Sequence, residues 1–199
     1  MMNNKNMVLE LKLPPVSDKE VLRYAGVRGE GKKYDSLLSE CKSELLPKIR
    51  GLVTYRTVEF SIDGDVCDIG GIRLKSESLA KAFLGAREAV VFVATVGIEV
   101  DRLIHRYERV SISKAHMMNS LGAERIEALC DEFCAVLKDE FFVGRTMSKR
   151  FSAGYGDLSI EAQRDIFSLL VPERHIGVTL NDSLMMSPTK SVSAIIGIK

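Results

Sequence analysis

The chain has 199 residues, 28 basic against 27 acidic for a net charge of +1, and 46% of them are apolar. That is enough apolar material to bury a core, which excludes a disordered or fibrous chain. The balanced charge argues against a nucleic-acid partner, and the longest apolar run, residues 89–96, is far short of the roughly 20 residues that span a membrane.

The opening stretch, MMNNKNMVLELKLPP, has no apolar h-region and no small-residue cleavage site, so no signal peptide is read and a cytoplasmic location is expected. In SDKEVLRYA (17–25), Ser17 and Glu20 stand at capping-box spacing and predict a short helix. A second helix is predicted over 34–50, where Leu37, Leu38, Cys41, Leu45 and Ile49 recur at helical spacing until Pro47 ends it. LVTYRTVEFSI (52–62) is β-branched and aromatic, DGD (63–65) makes a turn, and CDIGGIRL returns. A short helix follows with Ser76 as cap and Gly85 as stop. EAVVFVATVG reads as a buried strand and IEVDRLIHRYE as a helix. The longest periodic segment, about 113–141, keeps Ala115, Met118, Leu121, Ile126, Leu129, Phe133 and Leu137 on one face. A helix from Ser159 and two closing strands, RHIGVTL and SVSAIIGI, complete the chain. The expected architecture is a single α+β domain with an antiparallel or mixed twisted sheet and flanking helices. Residues 1–50 would be a helical N-terminal extension of an α+β core, 51–199.

The chemistry-bearing residues are few. Cys41, Cys67, Cys130 and Cys134 form no C-x-x-C pair and do not cluster with His105, His116 or His175, so no metal site is assigned. No nucleophile and base stand together, so no catalytic residue is assigned either. The run Gly26 to Lys33 nearly matches a phosphate loop, but Lys33 replaces the magnesium-binding hydroxyl and a helix precedes it where a strand is needed. Glu127 is either an ordinary surface glutamate or, sharing a helix face with the small residues Ala123, Cys130 and Cys134, a carboxylate with room for a ligand beside it; Glu124 and Asp131 look solvated. The stretch RFSAGYGD (150–157) is either a plain glycine-rich turn or a grip. Arg150, with Arg145 and Lys149 near it, would hold a carboxylate through paired hydrogen bonds, Gly154 would let backbone approach, and Tyr155 would offer a flat face.

Arg150, Gly154 and Tyr155 fit an R-x-x-x-G-Y pattern. Downstream, Gly177, Leu180, Ser183, Met186, Pro188, Ser191, Val192 and Ser193 follow in order, and LGAERIEALCDEF lies upstream. In this ordered set, over roughly residues 87–198, the chain resembles the C-terminal activation domain of cobalamin-dependent methionine synthase. The resemblance implies S-adenosylmethionine as ligand. Arg150 would take its carboxylate, backbone at Ser152, Ala153 and Gly154 would meet it, and Tyr155 would pack beside it. Glu127 would face its cationic part, and Ser191, Val192 and Ser193 would support the pocket. It further implies action on cobalamin held by a partner in trans, a methionine synthase or other corrinoid protein, with a flavodoxin-like electron donor. The chain would not be a complete methionine synthase, since no D-x-H-x-x-G cobalamin motif occurs in it. Two departures stand out: Gly156-Asp157-Leu158-Ser159 replaces the family's Pro- and Cys-containing turn, and no Tyr-Tyr strand follows SVSAIIGI. A protein that keeps the fold and regulates corrinoid methyltransferases without binding the ligand is the alternative.

Overall fold

The fold was taken from a computed structural model that describes residues 5–28 and 31–199. Strand β1 (Met7–Leu11) leads into helices α1 (Asp18–Tyr24) and α2 (Asp35–Leu45). Ser17 caps α1, its hydroxyl accepting from the Glu20 amide. Pro47 ends α2 in a short 3-10 turn, Leu46–Lys48, because it has no amide hydrogen to continue the helix. Strand β2 (Gly51–Asp63) turns into β3 (Val66–Ile69) and β4 (Ile72–Lys75). CDIGGIRL, which returns along β2, therefore holds two strands. Gly70 and Gly71 take positive φ between them, a backbone that side-chain-bearing residues avoid. Helix α3 (Glu77–Ala82), strand β5 (Glu88–Thr95), helix α4 (Glu99–Glu108) and the long helix α5 (Ile112–Val136) follow. α5 closes in a π turn, Leu137–Phe141, within the predicted span. Helices α6 (Ala162–Leu170) and α7 (Pro172–Ile176), the small hairpin β6 (Thr179–Leu180) and β7 (Met186–Ser187), and strand β8 (Ser191–Ile198) finish the chain.

The main sheet runs β4-β3-β2-β5-β8, with β1 also on β2, and every pairing among the described residues is antiparallel. β2 is long enough to take β1 along its first half and β3 along its last, both on the edge opposite β5. Both faces are covered. Val90, Phe92 and Ala94 of β5 join Val53, Tyr55, Ala194 and Ile196 under α5, α4, α1 and α2. Ala89, Val91 and Val93 join Val58, Phe60 and Ile195 under α3, α6 and the 151–158 loop. The period of two sends alternate residues to opposite cores, which is why β5 reads as an unbroken apolar run.

Two expectations need correction. The first fifty residues are not purely helical: β1 is a strand of the main sheet, and Val21, Leu38, Cys41 and Leu45 lie in the same core as Phe92 and Phe133. RHIGVTL is not a strand throughout: Pro172 sets the first turn of α7, which runs to Ile176, and Gly177 at φ +70° ends it before β6. Among the described residues, no helix is long and apolar enough to cross a membrane.

Candidate functional site

Residues 146–151 run along the outer edge of β8. Phe151 exchanges backbone hydrogen bonds with Ile195, both 2.9 Å, and Lys199 donates to Thr146 at 2.8 Å. Met147 pairs with Ile198 but Phe151 with Ile195, so four residue steps on one segment face three on the other. That is a bulge, and it re-aims the side chains around it. Ser148 fills the gap in the ladder: its amide donates to Gly197, and its hydroxyl accepts from the Gly197 amide, both at 2.8 Å.

Arg150 and Phe151 then diverge. Phe151 enters the α3–α6 core, edge-on to Phe83 at 6.3 Å. Arg150 reaches α5, where its Nη2 donates to Glu127 Oε2 at 3.0 Å and to Asp131 Oδ1 at 2.8 Å. Burial works against the Arg150 charge, but Cys130, Glu127 and Asp131 outweigh it and hold its pKa above the ordinary arginine value. Beneath them the Cys130 thiol is pushed up to about 12 by burial, partly opposed by Arg150. Arg150 thus stays cationic above an uncharged thiol. The cationic patch expected with Arg145 is dispersed: Arg145 pairs with Glu88 and lies over the Phe142 ring.

The loop after Phe151 is built by its own backbone. Gly154 donates to the Leu158 carbonyl at 2.9 Å and Tyr155 to Ser152 at 3.1 Å. Gly154 and Gly156 lie at φ +83° and +60°. Ser152 and Ala153 are half-buried, while Tyr155 is 67% exposed and stands edge-on to Phe151 at 5.2 Å. Asp157 caps α3, accepting from the Ser76 hydroxyl and the Glu77 and Ser78 amides. These bonds, led by that of Ser76, lower its pKa to about 2. The turn that departs from the family pattern therefore ties the loop to α3. On β8, Ser191 hydrogen-bonds Thr95 and the Pro188 carbonyl, Ser193 is buried, and Val192 packs against the α5-side core.

One turn up α5 lies a second charge cluster. Glu124, expected to be solvated, is buried. It accepts from Arg125 Nε and Nη2 and from the Ser17 amide. Arg125 also donates to the Pro14 and Pro15 carbonyls at 2.6 and 3.3 Å. The reason lies in tertiary packing: the Pro14–Ser17 segment brings backbone groups that need charged partners. A cleft of about 570 Å3 opens beside it, lined by Pro14, Pro15, Tyr24, Glu124, Glu127 and Asp131 among others. Glu127 belongs to both this cleft and the Arg150 cluster.

Of the residues singled out in the sequence, Glu127 and Arg150 meet at the α5–β8 edge, while the 152–155 loop leaves Arg150 for the α3–α6 face, with Ala153 packed in that core and Tyr155 against Phe151. The histidines do not join them: His105 pairs with Glu108 on the surface and His116 bonds the Ala25 carbonyl. Asp131 was passed over, although its i+4 spacing from Glu127 puts both on one helix face. The phosphate-loop-like run includes Gly29 and Glu30, which lie outside the described residues, as does the Met1–Asn4 start of the chain. Among the described residues, no group of three His, Cys, Asp or Glu side chains could hold a metal ion.

Fold and site together define an α+β sandwich whose bulged edge segment sets the Arg150 cation against two carboxylates of a long helix. The chain belongs to the family of the vitamin B12 dependent methionine synthase activation domain, whose model matches residues 78–199. Its fold is similar to one described as the crystal structure of the MetH reactivation domain bound to AdoHcy. That match has a TM-score of 0.75 at 14% identity and covers 97% of this chain and 78% of the other. No curated protein matches the chain significantly.

Proposed function

We propose that this protein binds S-adenosylmethionine and takes part in the reductive methylation that returns an oxidised cobalamin, held by a methionine synthase or other corrinoid protein, to service. The observation that carries it is the family match: Glu127, Arg150, Ser152 to Tyr155 and Ser191 to Ser193 all fall within residues 78–199. The relative of the same fold is described with bound AdoHcy, which shares the amino-acid and nucleoside ends of this ligand.

The residues fit such a molecule. Arg150 is a held cation on a rigid sheet edge and takes the ligand carboxylate. The backbone at Ser152, Ala153 and Gly154 faces the ligand, Gly154 at φ +83° giving the turn its shape. Tyr155 offers its exposed ring, and Glu127 stands against the cationic part. Ser191, Val192 and Ser193 hold the strand behind. The adjoining cleft is within the roughly 300–1,000 Å3 usual for small-molecule sites. The transferable methyl resides on the sulfonium and the accepting centre on the partner's cobalamin, so this chain contributes orientation and proximity. We read residues 1–199 as one unit in this role, working in the cytoplasm with a flavodoxin-like electron donor.

Calorimetric titration with S-adenosylmethionine tests the ligand. Loss of a charged hydrogen bond costs about 1.5–3 kcal/mol, so Arg150→Ala is expected to bind roughly 10- to 150-fold more weakly. No binding by the wild type, or equal binding by both, overturns the proposal.

A further inference from the structure

We propose that Asp131 is a displaceable counter-ion of Arg150. A carboxylate ligand reaches Arg150 by taking Asp131's place, so Asp131 lowers affinity for carboxylate-bearing ligands and speeds their release. The proposal rests on the reading of Arg150 as the carboxylate grip.

Both bonds from Arg150 to α5 leave from one nitrogen, Nη2, which is shared between Glu127 and Asp131. A ligand carboxylate brought to the same guanidinium adds a third negative charge beside these two, and that repulsion favours release of one acid. The two are not equal. The Asp131 side chain is 74% exposed and the Glu127 side chain 44%, against 24% for Arg150 itself. Water resolvates the outer carboxylate at little cost, so the exposed Arg150–Asp131 pair is the weaker tie. Glu127 sits further in, next to the buried Cys130, and stays to face the cationic end of the ligand. Arg150 keeps its aim after the exchange, because Phe151 and the β8 ladder fix its backbone.

The exchange has a use. S-adenosylmethionine and S-adenosylhomocysteine carry the same amino-acid end, so the grip on the carboxylate does not loosen when the methyl leaves. A built-in competitor limits that grip and lets the spent ligand depart.

The test is calorimetry on wild type, Asp131→Asn and Arg150→Ala with S-adenosylhomocysteine and with its decarboxylated analogue, which keeps the amine. Asp131→Asn is expected to bind S-adenosylhomocysteine about two- to fivefold more tightly, the fold-change for an exposed pair worth up to about 1 kcal/mol. The decarboxylated analogue should show no gain. Unchanged or weaker binding of S-adenosylhomocysteine by Asp131→Asn overturns the proposal, as does an equal gain for the analogue. If the wild type does not bind S-adenosylhomocysteine, the grip itself falls. If it binds and Arg150→Ala loses that binding while Asp131→Asn gains nothing, only the role of Asp131 falls. The thermal midpoint of Asp131→Asn, an isosteric change on an exposed helix face, reports whether the fold is kept.

Discussion

Helix α5 carries two arginine–carboxylate clusters about one turn apart, and they differ in almost everything but chemistry. In the first, the Glu124 and Arg125 side chains are 6% and 2% exposed, and their remaining hydrogen bonds go to the Pro14, Pro15 and Ser17 backbone. In the second, Glu127 and Asp131 hold Arg150 at a rim open to water. Charges withdrawn from water must be fully partnered, and once partnered they lock the groups they touch. Charges at a rim exchange partners cheaply. The first cluster is therefore a latch that fastens the N-terminal segment to α5, and the second is an exchangeable pairing at the rim, the grip of the function proposed above.

Removing one partner from each cluster is the sharpest way to break this contrast. Arg125→Ala strands the Glu124 carboxylate and two proline carbonyls, and is expected to cost about 3–5 kcal/mol of stability, as for other broken buried pairs. Arg150→Ala should cost no more than about 1 kcal/mol, since its partners can be solvated, while losing ligand affinity. Urea unfolding of both variants, with calorimetry on the second, separates latch from grip. Equal stability losses would show that the two clusters are not different in kind.

The grip was the more legible of the two in the sequence. Arg150, Gly154 and Tyr155 are close neighbours in the chain, and Glu127 announces itself by the small residues Ala123 and Cys130 on its face. The latch was hidden because Glu124 and Arg125 are buried by residues more than a hundred positions away, which no helical periodicity reports. Strand β1 was missed for a related reason: MVLEL is short, and its partners, Gly51 to Tyr55, lie beyond two intervening helices. The buried strands β5 and β8 were easier, because runs such as VVFVA and SAIIGI have no other way to be satisfied than burial on both faces. RHIGVTL misled because its β-branched end outweighed Pro172, which lies just before it and favours a helix start.

A medium-sized effect is expected at Gly154, in the loop that follows Arg150. At φ +83° an L-residue costs about 1–2 kcal/mol, and an added Cβ would stand 3.1 Å from Ile160 Cδ1. That methyl is the tip of a flexible, half-exposed side chain and can move, so the backbone strain dominates. Gly154→Ala should lower stability by about that 1–2 kcal/mol and also weaken ligand binding, because the amides of 152–155 shift together. A stability loss with unchanged affinity would show that the loop backbone does not face the ligand.

The smallest effect is expected at Asp157, and pH is what reveals it. Its carboxylate is anchored on Ser76 and on the first amides of α3, which lowers its pKa from 3.8 to about 2. A pKa lowered in the folded state means that the contribution is fully present above about pH 4 and is lost as pH falls through about 2. Asp157→Asn keeps an oxygen to accept hydrogen bonds but loses the charge at the helix start. The variant should therefore be slightly less stable than wild type at neutral pH, and the gap should close between about pH 4 and pH 2. Urea midpoints measured across that range decide it. A gap that stays constant would mean that shape, not charge, joins the loop to α3. A gap that closes would place Asp157 with the latch in function though it is exposed like the grip: a charge at the rim that holds structure because backbone amides, rather than another side chain, are its partners.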